Sequence, residues 1–247
     1  MKNIIITGAN QGIGYYAVRQ LLEDKYNVTV LDLNIDNLLD LKDEWPSLLP
    51  LVCDVRDFVR LNECVRESVL RFGSVDCAIH NACLCTFDSM DNTDEKTFKD
   101  VFDVNYFGAL NLTKAVIPFM LEQKEGKVIF ASSIVGVTGF MNIIPYASSK
   151  GAIESLAKCL NIEYEDKGIS FHIFHPPLTR TKSSEPLPVP KEVMMSPEKV
   201  GVGFAKNINK NSFIICHSFW QKVQVMGCYL FPIKMGKLLS KLTKKHM

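Results

Sequence analysis

The chain has 247 residues, of which 47% are hydrophobic and 22% charged, so it fits one large folded domain of ordinary composition. Its 28 basic and 27 acidic residues leave a net charge of +1, and nothing in this balance indicates a nucleic-acid partner. The eight cysteines lie mostly in apolar runs without C-x-x-C spacing, which favours free thiols in a reducing compartment over disulfides or a metal site.

Short apolar runs alternate with helical patterns along the chain. The first run, at residues 3–7, is too short for a signal peptide, and we expect a cytoplasmic protein. The predicted strands cover residues 3–7, 27–33, 48–53, 75–80, 126–131, 169–174 and 212–216. The predicted helices include residues 13–23, 57–71, 94–122 and 146–166. Strands without polar alternation, separated by helices, predict one α/β domain with a doubly wound parallel sheet of about seven strands and helices on both faces.

A glycine-rich turn, TGANQGIG, joins the first strand to the first helix. Gly8, Gly12 and Gly14 permit a tight turn and let the backbone approach a pyrophosphate at the N-terminus of the helix. Such a sequence alone could be only a turn, but here it follows a strand and opens a helix. The turn therefore predicts a dinucleotide site.

The second predicted strand ends near Asp32, 18 residues beyond Gly14. A carboxylate at this position can accept hydrogen bonds from ribose hydroxyls and would repel a 2′-phosphate. No Arg or Lys follows it directly, so the sequence favours NAD over NADP as the cofactor. The alternative is that Asp32 only caps the next helix.

The stretch IIPYASSKGAIESLAK places Tyr146 and Lys150 four residues apart near the start of a predicted helix. By itself this spacing says only that the two side chains share a helix face. The pattern T-G-x-x-x-G-x-G followed far downstream by Ser, Tyr and Lys resembles the short-chain dehydrogenase/reductase family. The resemblance runs from Lys2 to about Cys216 and implies a Rossmann-like fold.

The resemblance also implies a set of cofactor-binding residues. They are Thr7, Gly8, Asn10, Gln11, Gly12, Ile13, Gly14, Asp32, Asp54, Val55, Asn81, Ala82, Tyr146, Lys150, Thr179 and Thr181. Asp54 resembles the residue that contacts the adenine, and the last residue of PPLTRT, Thr181, resembles the one that holds the nicotinamide carboxamide. HNAC (80–83) is similar to the family turn N-N-A-G. Cys83 and Pro177 depart from the family by replacing glycines.

The resemblance implies four catalytic residues: Ser133, Tyr146, Lys150 and Asn105. Hydride transfer at carbon needs proton transfer at the attached oxygen, and a free tyrosine with a pKa of about 10 is a poor base. We expect Lys150 to lower the pKa of Tyr146, which then acts as general base or acid. We expect Ser133 to hold the substrate oxygen and Ser132, the competing choice, to serve backbone hydrogen bonds. By family analogy, Lys150 also binds the nicotinamide ribose and Asn105 supports a proton-relaying water.

The substrate is expected at the carboxyl ends of the strands, under a lid at residues 182–197. Apolar residues in this lid and around Phe140 to Ile144 favour a lipophilic secondary alcohol or ketone. We divide the chain into a catalytic domain, residues 1–216, and a C-terminal extension, residues 217–247.

From Lys199 onward the chain has nine lysines and no acidic residue. Its apolar core, residues 223–233, is too short to span a bilayer. Three alternatives stay open: a tail lying on an anionic membrane, an arm in an oligomer, or a helix packed near the substrate entrance. The family resemblance implies a homodimer or homotetramer.

The sequence thus predicts an NAD(H)-dependent oxidoreductase acting on a small-molecule alcohol or ketone. The rival class is a non-catalytic NAD-binding regulatory or scaffold protein of the same fold. Proteins of that class typically lose the Tyr or the Lys, whereas this chain keeps Ser133, Tyr146, Lys150 and Asn105. No resident metal is expected.

Overall fold

The computed structural model describes residues 1–187 and 189–244. Pro188, inside the predicted lid, and residues 245–247, at the end of the predicted extension, lie outside the described residues.

Seven parallel strands form one sheet. They are β1 (Asn3–Thr7), β2 (Asn27–Asp32), β3 (Leu48–Val52), β4 (Cys77–His80), β5 (Gly126–Ala131), β6 (Ile169–Phe174) and β7 (Ile214–Ile215). Their order across the sheet is β3-β2-β1-β4-β5-β6-β7, and every neighbouring pair is parallel. The predicted doubly wound α/β fold is therefore confirmed.

Helices connect the strands and cover both faces of the sheet. They are α1 (Gly12–Glu23), α2 (Asp36–Glu44), α3 (Phe58–Phe72), α4 (Glu95–Phe102), α5 (Gly108–Gln123), α6 (Val135–Thr138), α7 (Ile144–Tyr164), α8 (Pro197–Asn207), α9 (Phe219–Leu230) and α10 (Pro232–Lys244). Residues of α1, α2 and α8 form one buried apolar cluster with the sheet, and residues of α3, α5 and α7 form the other. Because both faces are covered, β1 is buried at all five positions.

The carboxyl ends of β1 and β4 meet at a topological switch point. From β1 the chain proceeds outward to β2 and β3, and it then returns to add β4 on the other side of β1. The connections after β1 and β4 therefore diverge and open a crevice above Thr7 and His80, which pair in the parallel register.

Most predicted elements match the structure to within about two residues at each end, but one predicted helix is interrupted and one predicted strand is shortened. The predicted helix at 94–122 is divided into α4 and α5 by a π-helical segment, Asp103–Phe107. The predicted strand at 212–216 is ordered as a strand only at Ile214–Ile215, because β7 pairs with the last two residues of β6 alone.

The C-terminal extension folds into α9 and α10. Helix α9 buries Gln221, Val225 and Cys228. Helix α10 packs closely on α6, where a Cβ at Gly236 would lie 2.3 Å from the Thr138 carbonyl oxygen. Helix α10 is therefore packed on the domain, while the three alternatives for the tail, which concern a membrane, an oligomer and the substrate entrance, stay predictions. Within the described ranges, no helix is both long enough and apolar enough to cross a membrane.

Candidate active site

The glycine-rich turn after β1 is held against the connection after β4. Gly8 has φ +66°, and a Cβ there would lie 2.4 Å from the Cα of Ala82, so no larger residue fits. Gly12 also has a positive φ, +63°. At Gly14 a Cβ would lie 2.8 Å from the Cα of Ala9 and from the Asn81 side-chain amide. These three glycines keep the floor of the crevice free of side chains.

Hydrogen bonds to the Thr7 hydroxyl oxygen join the two connections. Its oxygen accepts the backbone N–H groups of Asn81 and Ala82, each at 3.1 Å. The side-chain amide of Asn81 donates to the Gly8 carbonyl. Thr7, Asn81 and Ala82 therefore shape the crevice through the backbone.

Gln11 and Ile13 stand at the start of α1. Gln11 is the exposed N-cap residue, has an extended backbone, and makes no side-chain capping hydrogen bond. The first N–H groups of α1 are thus without a side-chain cap and can receive an anion. Ile13 is partly buried and packs against the apolar cluster formed by α1, α2, α8 and the sheet.

Asp32 lies at the end of β2, beside the same turn. Its Oδ2 accepts the backbone N–H of Asn10 at 2.9 Å, and its Oδ1 accepts that of Asn34 at 3.3 Å. Each carboxylate oxygen has a further lone pair, so it can also accept a hydrogen bond from a hydroxyl. The side chain of Asn10 accepts the N–H of Asn37 and ties the turn to α2.

Asp54 and Val55 lie in the connection after β3. The Asp54 carboxylate accepts two hydrogen bonds at Oδ2 from Arg56, at 2.6 and 3.0 Å, which hold the pKa of Asp54 below its ordinary value. Val55 is buried, and its carbonyl accepts a hydrogen bond from Asn111. Sequence reasoning missed Arg56, although its position two residues after Asp54 makes a local ion pair possible.

Lys150 is buried at the carboxyl end of β5. Its side chain is 1% exposed, and Nζ donates to the Ala131 carbonyl at 2.7 Å. Nζ also lies 5.6 Å from the centroid of the Tyr146 ring, one turn earlier on α7. Among the described residues the ammonium has no carboxylate partner, so its other two protons are available to polar groups of a ligand.

The pKa of Tyr146 moves in the direction opposite to our expectation. Burial raises it well above its ordinary value, the Cys83 and Cys85 thiols add to this effect, and hydrogen bonding with Ser133 opposes it. Burial likewise lowers the pKa of Lys150. The expected lowering at Tyr146 is therefore wrong for the protein by itself, because desolvation of the phenolate outweighs the neighbouring groups.

Ser132 and Ser133 have different surroundings. Ser132 is buried, and its hydroxyl donates to the Lys150 carbonyl at 3.4 Å, which confirms its expected role in a backbone hydrogen bond. Ser133 is half-buried and lies near the Tyr146 phenol.

Asn105 lies inside the π-helical segment and is fully buried. Its side chain accepts the N–H of Leu84 at 2.7 Å and donates to the Leu84 carbonyl at 3.0 Å. It also donates to the hydroxyl of Ser149, the neighbour of Lys150, at 2.9 Å. Asn105 thus connects the loop after β4 with α7, and π-helical turns of this kind are frequent at functional sites.

Thr179 and Thr181 follow β6 on the other side of the crevice. The Thr179 hydroxyl donates to the Pro177 carbonyl at 2.7 Å. Thr181 begins a short 3₁₀ turn whose last residue, Ser184, donates to the Thr179 carbonyl. The Thr181 methyl lies 3.3 Å from the position of a Cβ at Gly12, so this segment covers the glycine-rich turn. Sequence reasoning missed the role of Ser184.

The histidines near the strand ends are buried and contact neighbouring groups of the protein. His80 is buried beside Thr7, and burial, together with the Lys150 charge, lowers its pKa to about 3. Both ring nitrogens of His172 have partners, the Ser212 carbonyl and the Ser170 hydroxyl. The ring of His175 contacts Glu154 and Tyr229.

These residues fit a dinucleotide. The glycines leave a space that a Cβ would fill, and the N-terminus of α1 has no side-chain cap. The Asp32 carboxylate, at the end of β2, can accept hydrogen bonds from hydroxyl groups. Residues 2–190 match the sequence profile of the family described as short chain dehydrogenase. The chain belongs to the short-chain dehydrogenase family.

Two relatives are similar to the chain in sequence, and one solved structure is similar to it in fold. Oxidoreductase UcpA of Salmonella typhimurium is 34% identical over 192 residues, which cover 74% of this chain and 72% of the relative. The 3-ketodihydrosphingosine reductase of Dictyostelium discoideum is 27% identical, with 87% of this chain and 74% of the relative covered. A short-chain dehydrogenase from Streptomyces avermitilis shares the fold with a TM-score of 0.83 and 22% identity, over 99% of this chain and 97% of that chain.

Membership gives the general activity and cofactor class of this short-chain dehydrogenase. The family consists of oxidoreductases that act on CH–OH or keto groups, and it binds NAD(P). In residues 1–187 and 189–244, no group of three or more His, Cys, Asp or Glu side chains is arranged to hold a metal ion.

Proposed function

We propose that this short-chain dehydrogenase transfers hydride between NAD(H) and a lipophilic secondary alcohol or ketone. The observation that carries the proposal is the buried Lys150 ammonium beside Tyr146 and Ser133, at the carboxyl ends of the strands. NAD(H), when bound, supplies the hydride acceptor or donor. Side chains of this protein would transfer the proton and position the substrate and the cofactor.

Tyr146 is proposed as the proton donor in reduction and the acceptor in oxidation. Ser133 would hydrogen-bond the substrate oxygen and keep it within reach of the phenol. Lys150, fixed by the Ala131 carbonyl, would donate its other protons to the ribose hydroxyls. Asn105 would hold the loop after β4 and support a proton-relaying water.

The raised pKa of Tyr146 favours the neutral phenol near pH 7. A neutral phenol is the form required for proton donation, so the reduction of a ketone needs no further change in ionisation. Oxidation needs the phenolate, which a nearby positive charge such as an oxidised nicotinamide ring would stabilise.

NAD is favoured over NADP on the basis of Asp32. Its carboxylate is fixed by two backbone N–H groups, and among the described residues it has no basic partner. A 2′-phosphate near this carboxylate would meet a like charge. The proposed cofactor contacts also include Asp54, Val55, Thr179 and Thr181.

A lipophilic substrate is supported by a largely apolar groove between helix α10 and the segment that leads from α6 towards α7. The groove has a volume of about 520 Å³. It is lined by Thr138, Gly139, Phe140, Met141, Ile233, Gly236, Lys237, Ser240 and Lys241. The predicted apolar lid contributes unevenly, since Met194 and Met195 pack into the protein and Val193 is exposed. The relative named 3-ketodihydrosphingosine reductase is consistent with a ketone of this class.

We assign the proposed reaction to the catalytic domain, residues 1–216. The family resemblance implies that the protein forms a homodimer or homotetramer. The rival function is NAD binding without catalysis, in a regulatory or scaffold protein. Both functions include NADH binding, so only turnover separates them.

The test is the change Tyr146→Phe. Turnover of hydrophobic ketones should fall by about 10²–10⁴-fold, because the proton donor is lost. The dissociation constant for NADH, from fluorescence titration, should stay within about twofold. Tyr164→Phe, at the other end of α7, is the matched control and should keep full turnover. Near wild-type turnover of Tyr146→Phe would disprove the assigned role, and no turnover by the wild type across a broad ketone panel would favour the rival.

A further inference from the structure

Helix α9 is apolar on the side that faces away from the protein. Its inner side packs on the domain through Val225 and Cys228. The opposite side carries apolar side chains that are 45–76% exposed. They are Phe219, Trp220, Val223, Met226 and Leu230, followed by Phe231 at the end of the helix. A contiguous patch of exposed apolar side chains ordinarily marks a surface that contacts a protein or a membrane.

Helix α10, which follows α9 directly in the chain, carries a basic stripe. Lys234, Lys237 and Lys241 recur at helical spacing and are all exposed. Leu238 and Leu242, each about half exposed, lie beside them. The segment therefore presents aromatic and aliphatic side chains on one helix and ammonium groups with leucines on the next.

The charged residues are distributed unevenly between the C-terminal segment and the rest of the chain. The segment from Lys199 onward contains nine lysines and no acidic residue. The first 198 residues contain 19 basic and 27 acidic residues. The positive charge of the molecule is therefore concentrated in the segment that also carries the exposed apolar side chains.

A second copy of the chain is a poor occupant for this surface. A two-fold symmetric contact would use the same patch of both copies, and because this patch has no acidic residue, neither copy could offer a carboxylate to the lysines of the other. An anionic bilayer complements both features, since apolar side chains enter the boundary between headgroups and acyl chains while lysines pair with lipid phosphates.

We propose that α9 and α10 form a docking surface for an anionic lipid bilayer, on which the protein lies without spanning it. The docking surface consists of the six exposed apolar residues from Phe219 to Phe231 and the three lysines of the basic stripe. Lys237 and Lys241 also line the apolar groove, so docking would bring the mouth of the groove close to the lipid. The inference does not depend on the proposed reaction.

Trp220 supplies a direct signal for this docking. The chain has two tryptophans, and Trp45→Phe leaves Trp220 alone. The full-length variant should show blue-shifted Trp220 emission with vesicles of phosphatidylglycerol and phosphatidylcholine. Vesicles of phosphatidylcholine alone should give a much smaller shift, and salt at about 1 M should reverse the anionic effect.

Two sets of substitutions define the surface. Replacing Lys234, Lys237 and Lys241 by Gln should weaken vesicle affinity by about 100-fold, at about fivefold for each lysine. The double change Phe219→Ser with Leu230→Ser should also reduce co-sedimentation by at least about tenfold. The matched control is Leu70→Ser with Ile162→Ser, whose side chains on α3 and α7 are 87% and 76% exposed. NADH binding checks that every variant is folded.

The proposal is overturned if the wild type does not prefer anionic vesicles, or if both sets of variants bind them as the control does. It is also overturned if Phe219→Ser with Leu230→Ser turns an oligomer into monomers in sedimentation velocity while the wild type ignores vesicles. In that case a second copy covers α9.

Discussion

At the scale of single residues, burial decides what the predicted catalytic side chains do. The four-residue spacing of Tyr146 and Lys150 is readable in the sequence, and so is Ser133 at its distance upstream. Desolvation is not readable there, because it depends on elements that pack from elsewhere in the chain. The direction of the Tyr146 pKa was therefore predicted wrongly even though the residues themselves were found.

The two adjacent serines offer a test of the proposed roles. Ser133→Ala should lower kcat/KM by about 10²–10³-fold, because a donor to the substrate oxygen is lost. Ser132→Ala should cost much less activity, since that hydroxyl bonds the Lys150 carbonyl. Steady-state kinetics with thermal melting of both variants checks this. Equal losses of activity in the two variants would contradict the assignment of Ser133.

Asp32 offers a test of the cofactor preference. The wild type should bind NADH more tightly than NADPH. Asp32→Asn keeps an acceptor for the Asn10 N–H but removes the charge, so the ratio of the NADPH and NADH dissociation constants should fall about tenfold. Asp36→Asn, exposed at the start of α2, is the control and should leave the ratio unchanged. A wild-type preference for NADPH would overturn this interpretation of Asp32.

At the scale of elements, the glycine-rich turn depends on the close approach of two backbones. Gly8→Ala places a Cβ in the left-handed region and 2.4 Å from the Cα of Ala82. Gly73 also has a positive φ, +85°, but a Cβ there meets nothing within 4 Å. Gly73→Ala should lower the free energy of unfolding by about 1–2 kcal/mol through strain alone. Gly8→Ala should lower it by about 1–3 kcal/mol more, through overpacking.

Urea unfolding of the two glycine variants measures this difference, and NADH titration should show weaker binding only for Gly8→Ala. If both variants lose the same stability, the loop after β4 has moved away, and the contact with Ala82 does not limit the turn.

The sequence predicted where the helices lie better than how they are interrupted. Residues 94–122 were predicted as one helix because the apolar residues on both sides of Asp103–Phe107 recur at helical spacing. A π-helical turn inserts one extra residue, and no particular residue type marks it in the sequence. Likewise, the apolar residues of α9 could not be divided into buried and exposed sets, since they occur on all sides of the helix. Only packing distinguishes them.

At the scale of the whole molecule, three distant segments meet in one buried polar cluster. Glu154 of α7 contacts the ring of His175, which follows β6, at 3.1 Å. The Tyr229 hydroxyl of α9 donates to Glu154, and it also lies 3.0 Å from His175 Nε2. The Tyr229–Glu154 pair spans 75 positions in the sequence, so no local pattern could have predicted this contact. The cluster attaches the C-terminal extension to the helix that carries Tyr146 and Lys150.

This cluster makes stability depend on pH in a definite direction. Burial alone would raise the pKa of Glu154, but the hydrogen bonds and charge of His175 and the bond from Tyr229 outweigh it, so the pKa is lowered. A carboxyl with a lowered pKa in the folded state stabilises the fold above its unfolded pKa of about 4.3. That contribution is lost as the pH falls through the pKa of the folded state.

Glu154→Gln should therefore lower the free energy of unfolding at pH 7 by about 1–3 kcal/mol, and by less near pH 4. Urea unfolding between pH 7 and 4 measures both effects, and Glu163→Gln, exposed on the same helix, should follow the wild-type curve. A loss of stability in Glu154→Gln that is the same at every pH would mean that the cluster contributes packing without a stabilised charge.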